Sequence, residues 1–320
     1  MSADFGLTAG AERATEAAGT PGQLFRRRFY RHRLALGALV LLAVMIALVA
    51  GAPLIAQAMG QDPKAVDLFN RFAPPSGAHP LGTDSLGRDL LLRLLYGGRV
   101  SLAVGMMTAV CTAVIGTVLG LLAGYYGGRL DSILMRLADG VIALPLLPLL
   151  IVLAAVDLSK LGLPAAITDS EETSLYRIVG LIAIVGWTTV ARLVRGATLS
   201  MKRREFVLAA EAMGAGPYRI MARHILPNVV SPVVVATTLT VGNVILLESV
   251  LSFLGLGIQP PIPSWGNMLT GAQELIWSAP MQAVWPGLLI FVTVIAFNLL
   301  GDGLQDALDP RASERQGRMR

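Results

Sequence analysis

Six apolar runs, each close to the ~20 residues that cross a bilayer as a helix, dominate this 320-residue chain and leave few architectures open to it. They lie near Leu34 to Ala56, Val100 to Tyr125, Leu137 to Val156, Ile178 to Val194, Val229 to Leu254 and Val284 to Leu300. In hydrocarbon every backbone polar group must find a partner inside its own helix or in a closed barrel. Runs of this length therefore predict an all-α polytopic membrane protein with about six transmembrane helices. Asp139 and Pro145 interrupt the third run, and Trp187, Thr188 and Thr189 soften the fourth. Only 15% of the residues are charged, where a soluble chain carries about 25%.

The positive charges predict an orientation. With the amino terminus inside, 19 of the 26 Lys and Arg residues fall in segments that face the cytoplasm. The remaining 7 are Lys64, Arg71, Arg88, Arg93 and Arg99 in the first outer loop, and Lys160 and Arg177 in the third connection. The net charge of +5 is explained by this bias. No nucleic-acid motif accompanies it, so no nucleic-acid partner is expected. Residues 1 to 25 lack a periodic apolar face and are expected to be disordered. Arg26-Arg27-Arg28 before an apolar run has the look of a signal peptide, with Ala56-Gln57-Ala58 as a cleavage site, but the run from Leu34 is too long for a typical one. It is expected to stay as the first span.

Between the fourth and fifth runs lies a charged, glycine-broken segment, FVLAAEAMGAGPYRIMARHILPN, Phe206 to Asn228. Phe206, Ala210 and Met213 repeat at helical spacing, and Gly214-Ala215-Gly216 predicts a turn. Pro217 is suited to opening a second short helix, with Tyr218, Met221 and Ile225 on one side and Arg219 and Arg223 on another. Pro227 is expected to end it. By itself the pattern fits either an amphipathic loop on the lipid surface or a docking site for another protein.

The segment resembles the coupling loop of ABC-importer permeases, whose pattern is Glu-Ala-Ala, three residues, Gly, nine residues, Ile, any residue, Leu-Pro. Ala209, Ala210, Gly214, Leu226 and Pro227 stand at matching positions. Leu208 replaces the Glu, and His224, followed by Ile225, stands at the Ile. Both departures are usual in the peptide-transport branch. Three further stretches resemble the dipeptide, oligopeptide and nickel branch: HPLGTDSLGRDLLLRLLYGGRVSLAVG (His79 to Gly105), LLESVLSFLGLGIQPPIPSWG (Leu246 to Gly266) and the tail FNLLGDGLQDALDPR (Phe297 to Arg311). The resemblance implies the type I importer permease fold in a bacterial inner membrane, with both termini cytoplasmic. It implies a second, homologous permease subunit, two cytoplasmic ATP-binding subunits and an external substrate-binding protein. It also assigns Ala209, Ala210, Gly214, Tyr218, Arg219, Arg223, His224, Leu226 and Pro227 to contact with the ATPase. The cargo it implies is a di- or oligopeptide, with nickel chelates, opines or glutathione as alternatives.

Acids inside apolar runs cost about +2.5 to +3.5 kcal/mol on insertion scales and default to functional candidates. Glu248, roughly 28 Å along the fifth run from Val229, is the candidate translocation-pathway residue; the alternative is an acid satisfied at the outer interface. Asp139 reads as an interfacial cap. In the first outer loop, Gly82, Thr83, Asp84 and Gly87 read as turn and cap residues, and Asp89 to Tyr96 as a short helix with Leu90, Leu91, Leu94 and Leu95 on its apolar side. That helix either guides the chain into the second span or forms part of a docking surface.

No phosphate loop, nucleophile elbow or zinc-protease motif occurs. Cys111 stands alone, and His32, His79 and His224 are scattered. Neither metal, cofactor nor catalysis is expected, so energy must come from another polypeptide. An ion-coupled secondary transporter with its own coupling acids and a membrane scaffold are the competing classes. The expected organisation is a cytoplasmic tail (1–33), a first span with its outer loop (34–99), a permease core (100–302) carrying the coupling loop (196–228), and a cytoplasmic tail (303–320).

Overall fold

The computed structural model describes residues 21–156 and 173–308. The tail before residue 21, Lys160 and the tail after residue 308 lie outside the described residues. Among the described residues, five helices are long and apolar enough to cross a membrane, and one helix pair bent by 90° passes the same test only when its two members are taken together.

Helix α1 (Pro21–Phe29) forms where the sequence predicts a disordered tail up to residue 25. Arg26, Arg27 and Arg28 fill its last turn, where cations favour the helix dipole, and its face packs on the carboxy-terminal helix. Helix α2 (Arg33–Ala50) begins at His32, whose Nδ1 accepts from the Ala35 N–H at 3.1 Å. The first apolar run bends at Gly51 into α3 (Ala52–Met59), which carries a proline in its first turn.

Helix α4 (Leu90–Tyr126) has 37 residues, about 55 Å at 1.5 Å per residue, and so reaches beyond a bilayer of about 40–45 Å. The separate helix expected over Asp89 to Tyr96 is instead the N-terminal end of α4. Asp89 caps it, accepting from the Leu92 N–H at 2.8 Å. Gly97 and Gly98 do not break it because they are contact points: a Cβ on Gly98 would fall 2.7 Å from the Trp265 ring. Leu90, Leu92 and Leu94 are the buried leucines, so the apolar side is turned from the one expected.

The third run is α5 (Gly128–Ala143) and α6 (Leu146–Ala155), which meet at 90°. Leu144 and Pro145 between them are extended, as expected for a residue forced out of the helical region by the following proline. Arg177 from the next helix donates to the carbonyls of Ala154 and Val156 and so closes the end of α6.

That next helix, α7 (Thr173–Met201), packs along α4 more extensively than any other pair. Gly116, Gly120 and Gly124 make this possible. A Cβ on Gly120 would sit 2.5 Å from the Ala191 carbonyl oxygen, and one on Gly124 would sit 2.6 Å from the Thr198 Cβ. Small residues at every fourth position let helix backbones approach in a bilayer.

After α7 come α8 (Glu205–Ala212), α9 (Pro217–Ile220), a π-turn (Met221–Ile225) and α10 (Leu226–Phe253). A short helix α11 (Ala272–Leu275) precedes α12 (Met281–Leu308). Helix α12 runs past the boundary expected at residue 302. Gly301 and Gly303 do not stop it: their open sides receive Leu239 and Ala35, and a Cβ on Gly303 would land 2.2 Å from the Ala35 Cβ. Helices α2, α4, α10 and α12 share one apolar core containing Leu42, Leu102, Val241, Ile245, Trp265 and Phe297.

Candidate functional site

The glycine-broken loop is a helix-turn-helix held to the C-terminal ends of α4 and α7. Helix α8 ends at Met213, and Gly214 takes φ +85. The Gly214 N–H donates to Glu211 O at 2.9 Å and the Ala215 N–H to Ala210 O at 3.0 Å. This pairing is a Schellman motif, which needs the left-handed backbone that glycine adopts at least cost. Pro217 opens α9 after the extended Gly216.

Val207, Ala210, Ile220 and Ile225 form the buried side of this unit. They meet Leu121 and Tyr125 of α4, Val190 and Val194 of α7, and Val229 of α10. Lys202 adds a polar fastening, donating to the Tyr125 carbonyl at 2.7 Å with its ammonium 5.0 Å from the Tyr125 ring centre. A cation there satisfies a last-turn carbonyl of α4. The buried side of the loop is thus part of the same packed interior as α4 and α7.

The opposite side is apolar and open. Phe206, Leu208, Met213 and Tyr218 are exposed, Met213 at 83% and Tyr218 at 82%. The expected phase of α8 is thereby corrected: Phe206 and Met213 face outward and Val207 turns in. Tyr218 likewise does not share a side with the buried Ile225. Of the other predicted contact residues, Ala209, Gly214, Arg219, Arg223 and Pro227 are exposed, Ala210 is buried, and His224 and Leu226 are half-buried.

Pro227 does not end the helix. A proline inside a helix lacks one N–H and crowds the carbonyl four residues before it. Here the π-turn just ahead opens the spiral: the Leu226 N–H reaches Met221 O, and the Asn228 side-chain amide donates to the His224 carbonyl at 2.7 Å. The coupling segment therefore runs without a stop into the α10 span.

Near the C-terminal end of α10, Glu248 is 0% exposed. Its partners are serines. Ser101 of α4 donates to Oε2 at 3.3 Å, and Ser252 donates to Oε1 at 2.7 Å; Ser249 and Ser264 also stand against the carboxylate. Ser101 in turn accepts from the Trp265 N–H at 3.1 Å, and Ser252 from the Ile258 N–H at 3.0 Å. The acid therefore fastens the segment after α10 to α4. Its side chain is fully enclosed within this chain.

The first outer loop folds around Asp84. Its Oδ1 accepts from the Leu86 and Arg88 N–H groups at 2.8 and 3.0 Å, and its Oδ2 pairs with Arg88 Nε at 2.8 Å and Arg93 Nε at 3.1 Å. Gln282 of α12 donates to the Thr83 carbonyl at 2.7 Å. A groove of 380 Å³ between Phe72, Pro74, Leu81, Met281 and Trp285 opens beside it. Asp139, expected as a cap, is instead paired with Arg192 of α7. Asp131 receives Arg195 through both Nε and Nη2.

The sequence reading missed Val207, Ile220 and Lys202 as anchors and the Gly116, Gly120 and Gly124 ladder. The ladder was visible as small residues at every fourth position; the anchors had no signal beyond being apolar or basic.

Residues 116–314 match the family described as the inner membrane component of binding-protein-dependent transport systems. Residues 20–75 match the N-terminal transmembrane domain of oligopeptide transport permease C. The chain belongs to this family of ABC-importer permeases. Among its relatives, it is 42% identical to the glutathione transport system permease protein of Pectobacterium atrosepticum over 91% of this chain and 92% of that one. It is 37% identical to the oligopeptide transport system permease protein of Bacillus subtilis (89% and 88% covered) and 39% identical to the dipeptide transport system permease protein of that organism (89% and 84%).

Proposed function

We propose that this chain is a non-enzymatic permease subunit of an ATP-driven, binding-protein-dependent importer for short peptides. It works beside a second, homologous permease, with two cytoplasmic ATP-binding subunits and an external binding protein. It sits in a bacterial inner membrane with both termini and the α8–α9 loop inside.

The observation that carries this reading is the two-sided loop. One side, through Val207, Ile220 and Ile225, is part of the same packed interior as the spans α4 and α7. The other offers Phe206, Leu208, Met213 and Tyr218 to a partner, flanked by the exposed Arg219 and Arg223. Aromatic and methionine side chains of this kind are enriched where proteins dock. Closure of the ATPase pair around α8–α9 would move α7 and α10 together and open the permease toward the binding protein.

Glutathione, dipeptides and oligopeptides, the cargoes in the relatives' names, share one chemistry: a short peptide with a free ammonium and free carboxylates. Reconstitution in proteoliposomes tests the reading. Uptake of a labelled dipeptide should need the second permease, ATP with the ATP-binding subunits, and loaded binding protein together. Uptake by this chain alone, driven by a proton or sodium gradient, would replace the reading with that of a secondary carrier.

A further inference from the structure

Two neighbouring features of the membrane region do not belong against lipid. The first is the Asp139–Arg192 pair. Asp139 lies about 16 Å along α5 from Gly128, and Arg192 about 14 Å from the inner end of α7 at Met201. Helix α7, about 43 Å long, overhangs a hydrocarbon layer of about 30 Å by a few ångström at each end, so both charges stand inside that layer. Yet their side chains are 63% and 45% exposed.

The second is the break between α5 and α6. Leu144 and Pro145 are extended, the two helices meet at 90°, and residues 142–148 are exposed throughout. Irregular backbone at membrane depth is tolerated where it is buried in protein or lines water, not where it faces lipid. Around the pair, the inner half of α7 exposes Thr189, Arg192, Leu193, Gly196 and Ser200. Helix α4 differs: its exposed residues include Met106, Val110, Val114 and Val118, a surface suited to lipid.

We propose that the α5–α6 break and this face of α7 line the water-filled passage, and that Asp139 and Arg192 hold the charged ends of the substrate as it crosses. The peptide assignment rests on the function proposed above; the lining does not. With the passage empty the two side chains satisfy each other. A zwitterionic peptide exchanges partners with them without changing the net charge, its ammonium turning to Asp139 and its carboxylate to Arg192. A guanidinium can take a carboxylate through two parallel hydrogen bonds.

The test uses the assembled transporter with Cys111→Ala. Single cysteines replacing Thr189 and Leu147 should react with a small charged methanethiosulfonate at least about tenfold faster than one replacing Val114, since thiolate chemistry needs water. Equal, slow reaction at all three sites would place this face against lipid or a dry subunit contact and overturn the lining. This arm is independent of the cargo, so it still decides the lining if the transporter imports no peptide. In the second arm, Asp139→Asn and Arg192→Gln should each lower the maximal rate of dipeptide uptake about tenfold, the loss of one charge-assisted contact, with binding-protein affinity unchanged. The exchange Asp139→Arg with Arg192→Asp should restore thermal stability but not uptake. Uptake restored to the wild-type rate by the exchange, or unchanged in the single variants, would reduce the pair to a structural tie and overturn its role in holding the substrate.

Discussion

At the residue scale, Glu248 and Gly214 show how one position acts through its neighbours. Glu248 works by hydrogen bonding: its two oxygens hold Ser101 and Ser252, which hold the backbone of Trp265 and Ile258. Glu248→Gln keeps one acceptor and offers a donor that a serine oxygen can take. Its uptake is expected to stay within about twofold of wild type. Glu248→Ala strands buried hydroxyls at about 1–3 kcal/mol each and should lower the thermal midpoint of the purified complex and its transport together. Equal loss in both variants would assign the role to charge. At Gly214 a Cβ would meet nothing within 4 Å, so its cost is purely conformational. Gly214→Val is expected to strain the turn by about 1–3 kcal/mol while the spans insert normally. Binding-protein-stimulated ATP hydrolysis and uptake should fall together, and Ala215→Ser beside it should be nearly silent. Full coupled hydrolysis in a well-assembled Gly214→Val complex would remove this loop from the coupling path.

At the scale of elements, the most extensive helix contact among the described residues is that of α4 with α7. Gly120→Leu would push a side chain into the Ala191 carbonyl and Val194 and separate the two helices. Overpacking costs of about 1–3 kcal/mol or more should appear as a lower thermal midpoint of the detergent-solubilised protein. Gly180→Ala in the same α7, where a Cβ meets nothing within 4 Å, should leave that midpoint equal or slightly raised, because alanine is the better helix former. A midpoint unchanged by Gly120→Leu would mean that α7 does not depend on the glycine ladder. The element-level differences from the sequence reading share this cause. Gly97, Gly98, Gly301 and Gly303 lie just beyond the expected ends at Tyr96 and Leu300, yet each sits inside a continuous helix where another chain segment fills its open side.

At the scale of the molecule, the proposed orientation rests on charge, and the structure supplies reporters for it. Ser264 lies in an outer segment but is fully buried, and Ser170 is outside the described residues. Ser76 and Ser278 are exposed in outer segments, and Ala222 is exposed in the coupling loop. In the Cys111→Ala background, cysteines at Ser76 and Ser278 should react with an impermeant thiol reagent outside intact cells, and one at Ala222 only after the membrane is opened. The reverse pattern would invert the whole topology.

The sequence by itself determined the membrane class, the all-helical fold and the family. Each is written in length, composition or contiguous spacing, and hydrocarbon enforces those locally, residue by residue. Tertiary structure alone decided which side of α8 is buried, how Pro227 is carried through a helix, that Glu248 is enclosed by serines, and that Asp139 finds Arg192. These depend on neighbours distant in the chain, so no local period encodes them: Val207 and Phe206 are both apolar, and only the inner ends of α4 and α7 decide which one turns in.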